Sequence, residues 1–374
     1  MAAPKTLITG NGDHAHSLVV VFLRGGADGL SLVAPLEDDG YHHARPRIAV
    51  GKSEAVKLDG FFGLHPLLKD LGPAYTDGAM AIIHAVGSED STRSHFEAQD
   101  LMEHGGEVAG GWLGRFLRYR PNLSAGALSA IAFGRSVPEC LRGAPAATVL
   151  RSLDEFSLGA NAAPLQRQLE TLYQREGGLL GAAGRDTLDA LRRLEALRAT
   201  PYQPAAGTEY PKDDFGQGLK QIARLIKARV GLEAASIDLG GWDSHLNQGT
   251  IMDPLIGRLG RGLGAFYRDL GKAMNRTTVV VMTEFGRRVT ENSAFGTDHG
   301  RGSVMFVLGG DVKGGRVLGD WPSLKPEILE GPGDLHVITN YRNVLAAVLK
   351  QHSPEADLAR VFPEFPLTPL PLYG

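Results

Sequence analysis

Four runs of consecutive apolar, largely β-branched residues punctuate the chain: Ser17–Leu23 (SLVVVFL), Met80–Val86 (MAIIHAV), Thr277–Met282 (TTVVVM) and Val304–Leu308 (VMFVL). Unbroken apolar runs of this length are the pattern of strands covered on both faces, since a strand with one wet face alternates. Leu128–Phe133 and Glu233–Leu239 are further strand candidates, each carrying polar residues within the run. Between them the apolar positions recur at helical spacing. Pro66–Thr76 reads as a helix with proline tolerated at its start. Leu165, Leu169 and Leu172 make one stripe, and Leu188, Leu191, Leu194 and Leu197 a second, bounded by Pro201 and Pro204. Phe215, Leu219, Ile222 and Ile226 make a third, and Met252, Leu255, Leu259, Leu263, Phe266 and Leu270 a long fourth. Thr339 is placed to cap a last helix running through Leu349.

Strands alternating with helices predict an α/β fold, a mainly parallel sheet sandwiched by helices. The polar, Gly- and His-containing residues 1–16 read as an arm, and 17–374 as a single domain. Within it, the purely helical stretch from about 145 to 230 reads as an insertion that packs on the sheet or caps the site, its leucine stripes belonging to the core.

Composition narrows the class. Apolar residues at 43% and charged residues at 22% suit a globular protein. A formal net charge of -3 supplies no reason to expect nucleic acid or an anionic membrane as partner. No apolar run reaches the length of a membrane span, and Met1-Ala2-Ala3-Pro4-Lys5 lacks the apolar core of a signal peptide. Cys140 is the single cysteine, which excludes an internal disulfide and a thiolate metal cluster. The 49 glycines fall in short clusters suited to tight turns after strands.

The chemistry gathers where strands end. Gly240-Gly241-Trp242-Asp243-Ser244-His245 places a carboxylate and an imidazole two residues apart, on one side of an extended segment. Thr283-Glu284-Phe285-Gly286-Arg287-Arg288 follows the next strand, and Gly296-Thr297-Asp298-His299-Gly300-Arg301-Gly302 forms a third cluster. Carboxylate oxygen and imidazole nitrogen are ligands of hydrolytic divalent cations, and the carboxyl ends of parallel strands are where open α/β sheets bind ligands. Asp28, after the first strand, is a further ligand candidate or a turn residue. His84, inside a strand, reads as a core histidine. In Ser91-Thr92-Arg93-Ser94-His95, just before a helix, Thr92, Ser94 or Ser91 is a candidate nucleophile or an N-cap, and Arg93 and His95 add a cation and a base. Arg24, Arg93 and Arg287 are candidates to grip an anionic group.

The stretches LVVVFLRGGADGLS, STRSHFEAQDLMEHG, GGWDSH, VVVMTEFGRR, DHGRG and GGDVKGGRVLGD resemble the DUF1501 family of bacterial proteins almost from end to end. The resemblance implies an alkaline-phosphatase-like fold of the alkaline phosphatase and sulfatase superfamily, and a periplasmic or secreted setting. It implies one or two divalent ions (Zn, Mn or Ca) and a phosphate or sulfate ester of a small molecule or glycan as substrate. Asp28, Asp243, His245, Glu284, Asp298 and His299 then resemble metal ligands, and Ser94 or Thr92 the nucleophile. The chain departs from the superfamily pattern in having Glu284-Phe285 where Asp-His is usual, and in having no cysteine where a sulfatase needs one. A non-catalytic binding or cell-envelope assembly protein on the same fold is the alternative.

Overall fold

The computed structural model describes residues 16–120, 126–155, 159 and 162–374. All but the last residue of the expected N-terminal arm lies outside them. Twelve strands are present among the described residues: β1 (Ser17–Arg24), β2 (Val33–Pro35), β3 (Val56–Lys57), β4 (Phe62–Leu64), β5 (Met80–Gly87), β6 (Ala130–Phe133), β7 (Thr148–Leu150), β8 (Ala234–Gly240), β9 (Thr277–Met282), β10 (Ser303–Gly309), β11 (Arg316–Leu318) and β12 (Thr339–Asn340). The central sheet has the order β11-β5-β10-β9-β1-β8-β6-β7, with β12 also beside β5. Every pairing in it is parallel except those of β10, which runs against both β5 and β9. Strands β2, β4 and β3 form a small antiparallel sheet.

The unbroken apolar runs are explained by what covers each face. Val19, Val21 and Leu23 of β1 point to a core shared with Ile237 and Val281 and with Leu259, Leu263 and Phe266 of the helix Gln248–Leu270. Leu18, Val20 and Phe22 point the other way, against Val344, Leu345 and Val348 of the helix Tyr341–His352 and Trp112 and Phe116 of the helix Trp112–Tyr119. A polar residue at any of these positions would be taken out of water without a partner.

Three elements differ from expectation. Residues 66–76 are a 3₁₀ segment, Pro66–Leu71, leading into a short α-helix, Gly72–Thr76. Thr339 pairs with β5 as part of β12, and the last-helix cap is Asn340, whose side chain accepts from the Arg342 backbone. The stretch 145–230 contributes the sheet-edge strand β7 as well as three helices, Ala162–Arg175, Gly178–Arg198 and Asp214–Lys227. Leu188, Leu191 and Leu194 are buried, but Leu165 and Leu172 are about half exposed, so the first leucine stripe is not core.

One buried polar knot ties this stretch to the helix Gln248–Leu270. Asp269, on the helix Gln248–Leu270, accepts from Tyr202 Oη (2.6 Å), Tyr210 Oη (2.8 Å), the Ala205 backbone (2.8 Å) and Lys227 Nζ. Burial alone would raise its pKa; Lys227 and the three donors outweigh burial and hold it below the ordinary carboxylate value. A carboxyl whose folded pKa is lowered contributes stability above its unfolded pKa and loses it as pH falls through the folded value. Asp269→Asn is therefore expected to cost about 1–3 kcal/mol at neutral pH. The gap from wild type should shrink below the ordinary aspartate value of 3.8. Urea unfolding at stepped pH measures it, and a gap that does not vary with pH would contradict the assignment.

Candidate metal centre

Because β10 alone is reversed, its amino end lies at the same edge of the sheet as the carboxyl ends of β1, β5, β8 and β9. Five segments meet there. Gly25 and Gly26 follow β1, and the loop to His95 follows β5. Trp242–His245 follow β8, Thr283–Arg288 follow β9, and Asp298–Gly302 enter β10. Two glycines permit the crowding. Gly25 has φ +118°, and a Cβ there would stand 2.6 Å from the Asp243 backbone nitrogen. At Gly286 a Cβ would stand 1.9 Å from the carbonyl oxygen of Gly302. Hydrogen bonds from Gly286 N to Arg301 O (2.8 Å) and from Gly300 N to Gly286 O (2.9 Å) lock this crossing and set His299 against Glu284's segment.

At the centre is Asp243 Oδ1. It accepts a hydrogen bond from Arg287 Nη2 at 2.8 Å. Around the same oxygen stand His245 Nε2 at 3.1 Å, His299 Nε2 at 3.2 Å and His95 Nε2 at 3.3 Å. The two nitrogens of His245 and His299 are 2.9 Å apart. One ligand atom each from His95, Asp243 and His299 fits within 4.8 Å of the others. His95 opens the helix His95–His104, and its ring stacks on Phe285 at 4.7 Å and meets His299 edge-on at 4.4 Å. Asp243 is about half exposed, so one side of the cluster faces solvent.

The outer nitrogen of each ring is already engaged. His95 Nδ1 donates to Glu284 Oε1 (2.8 Å), His245 Nδ1 to Asp298 Oδ1 (3.2 Å) and His299 Nδ1 to the Arg93 carbonyl (2.9 Å). A carbonyl or an ionised carboxylate only accepts, so each Nδ1 carries the proton and each neutral ring turns a lone pair inward. Lone pairs then face one another and a carboxylate. His95 Nε2 is buried with no hydrogen-bond partner. Only positive charge between these atoms, an imidazolium proton or a metal cation, makes the arrangement favourable. Imidazoles tied from behind by carboxylates and a carbonyl are how metal-binding histidines are oriented, and the residues present fit a divalent cation.

The electrostatics agree. Burial would raise Asp243, but Arg287, through its hydrogen bond and its charge, holds it well below the usual carboxylate range. Glu284, also pushed up by burial, is held low by His95, Gln99 and the Gly25 backbone. His299 is lowered, first by burial and then by the Arg287 charge, which favours its neutral, ligating form. His95 is raised, chiefly by its hydrogen bond to Glu284.

The expected residues divide. Asp243, His245 and His299 meet with their side chains at one point, joined by His95, which the sequence had suggested for acid–base work. Glu284 and Asp298 stand behind the rings, and Glu284 is fully buried, with Oε1 shared among His95, Gln99 and Gly25. Asp28 is not brought to the cluster. It is fully buried, and its carboxylate is filled by Arg45 in a two-pronged pair, by Ser31 and by Gln248. Thr92 spends its hydroxyl on Asp90, and Ser94 caps its helix through Glu97 N. Arg24 is taken by Asp238, Glu103 and Gln99; Arg93 by Asp334 and Gly331 O; Arg287 by four backbone carbonyls besides Asp243. His84 is buried and hydrogen-bonded to Val33 O. Arg45 and Gln99 went unread in the sequence. His95 and Gln99 at i and i+4 on one helix face was the signal for the second.

Two outcomes follow for metal binding. Glu284→Gln should weaken zinc affinity about 10–100-fold with the fold retained, measured by calorimetric titration; unchanged affinity would remove Glu284 from the orientation of His95. Asp28→Asn should cost about 3–5 kcal/mol of stability by stranding the Arg45 charge, yet leave metal stoichiometry intact. Lost metal with unchanged stability would return Asp28 to the site.

No match is found among curated protein sequences. Among solved structures, a protein of the alkaline phosphatase superfamily from Vibrio parahaemolyticus is similar at TM-score 0.41 and 10% identity, over 96% of this chain and 71% of that one. The C-terminal periplasmic domain of EcEptC from Escherichia coli is similar at TM-score 0.41 and 11% identity, over 96% and 89%. Alkaline phosphatase from the Antarctic bacterium TAB5 is similar at TM-score 0.30 and 11% identity, over 80% and 92%. Likenesses this distant carry nothing about chemistry. A family profile described as "Protein of unknown function (DUF1501)" matches residues 84–355, a span that contains His95, Asp243, His245, Glu284 and His299, and the chain belongs to that family.

Proposed function

We propose that this chain is a metal-dependent hydrolase of phosphate or sulfate esters, acting on a small-molecule or glycan ester in the periplasm or outside the cell. The observation that carries the reading is the convergence of three imidazole Nε2 atoms on Asp243 Oδ1, each ring already tied down through Nδ1. His95, His245, His299 and Asp243 would hold one ion. Three nitrogens and an oxygen suit zinc better than calcium, which takes oxygen ligands. When bound, such a cation supplies a Lewis acid that polarises an ester oxygen and lowers the pKa of a water or hydroxyl. Glu284 and Asp298 keep the rings in the ligating tautomer, and Arg287 keeps Asp243 ionised. The half-exposed face of Asp243 is where a substrate oxygen would enter.

The hydroxyls of Thr92 and Ser94 are engaged within their own loop, which favours water as the nucleophile. The same observation favours the second reading, a binding or envelope-assembly protein that keeps the metal site. Among the described residues no helix is long and apolar enough to cross a membrane.

The test is turnover of aryl phosphates and aryl sulfates by zinc-loaded protein. Asp243→Ala is expected to abolish both metal binding and turnover, and full activity in that variant would defeat the assignment. Stoichiometric metal with no turnover of either ester class would favour the binding protein.

A further inference from the structure

We propose that Arg288 is the group that grips the tetrahedral oxyanion of the ligand; this rests on the metal-centre reading above. Of the guanidinium groups carried by the segments that build the centre, Arg288 is the one with no hydrogen-bonded donor among the described residues. Arg24 is committed to Asp238, Glu103 and Gln99, Arg93 to Asp334 and Gly331 O, and Arg287 to backbone carbonyls and Asp243. Arg301 is held through both terminal nitrogens by Glu330 and the Ser88 carbonyl, with its buried Nε left without a partner. Among the described residues nothing accepts a hydrogen bond from the Arg288 guanidinium, whose closest charge contact is Nη1 to Asp298 Oδ2 at 3.9 Å. Its Nε is buried without a partner, while the side chain as a whole is 36% exposed.

The position is held from the backbone. Arg288 N donates to Asp298 O at 2.9 Å, and its carbonyl accepts from Arg45 Nη2 at 2.9 Å. The other oxygen of Asp298 faces His245 Nδ1, so the guanidinium stands one carboxylate away from the metal cluster. Asp334 also has a buried oxygen without a donor, Oδ1, but it makes no ion pair with Arg288 and is paired instead to Arg93. A buried N–H without an acceptor carries a desolvation cost that an acceptor oxygen removes. A planar fork with free donors matches two oxygens of a phosphate or sulfate, and an ammonium cannot reproduce that match.

The experiment is calorimetric titration of zinc-loaded wild-type and Arg288→Gln protein with inorganic phosphate and with sulfate. The variant is expected to keep zinc stoichiometry and to lose about tenfold or more in anion affinity, the scale of a lost charge-assisted hydrogen bond. Arg288→Lys should recover only part of the loss. Arg192→Gln, which removes an exposed charge on the helix Gly178–Arg198, should bind as wild type does. Equal anion affinity in wild type and Arg288→Gln overturns the role of Arg288 alone, as does a variant that loses stability without losing anion affinity. Wild-type protein that takes up zinc but binds neither anion overturns both this role and the hydrolase reading.

Discussion

One carboxylate oxygen organises the carboxyl edge of the sheet. Asp243 Oδ1 receives Arg287 and is ringed by His95, His245 and His299. The same Arg287 gathers the carbonyls of Gly25, Gly26, Trp242 and Thr297, so the ends of β1 and β8 and the late loop are drawn together by one buried cation. Without it, those carbonyls would be buried acceptors with no donor, and the loops that carry the histidines would have no common anchor. The chemistry of the centre and the packing of the edge depend on the same contact.

The reversal of β10 is what brings His299 to that contact. In an all-parallel sheet the residues before a strand lie at the edge opposite to those after it. Here the loop preceding β10 arrives where β1, β8 and β9 end, and His299 meets Asp243 although 55 residues of chain separate them. The crossing of Gly286 over Gly302 has no room for a side chain, which fixes how closely that loop approaches the Glu284 segment. Topology places the residues within reach, and two glycines remove the last ångström or two of spacing.

The sheet was legible because strands buried on both faces leave continuous apolar runs, and TTVVVM or SLVVVFL has no other economical reading. Asp243, His245 and His299 were legible for a related reason: each follows or precedes such a run by a few residues. What could not be read was pairing. Asp28 sits after a buried strand just as Asp243 does, and only the fold reveals that Arg45 fills its carboxylate. Glu284 has ligand chemistry and strand-end position, yet its oxygen is turned to the back of His95 by Gln99 and the Gly25 backbone. Thr339 has the chemistry of a cap and is instead paired to β5, leaving Asn340 to do the capping. Local sequence marks which residues can bind, and the direction each one points is decided by partners remote in the chain.

Charge balance then constrains what the centre can hold. Arg287, among the described residues the only cation touching Asp243 besides the rings, has its donors consumed by that oxygen and by four carbonyls. His299 is driven toward its neutral form by burial and by Arg287. Its Nε2 therefore presents a lone pair, and it stands in contact with His245 Nε2. A proton on His95, whose pKa is raised by Glu284, can satisfy one of these acceptors but not all of them. The fold concentrates more electron-pair donors than its own cations can neutralise, with one face left open to solvent. A divalent cation entering from that face would meet ligands already turned toward it, and its binding would cost little rearrangement of the protein.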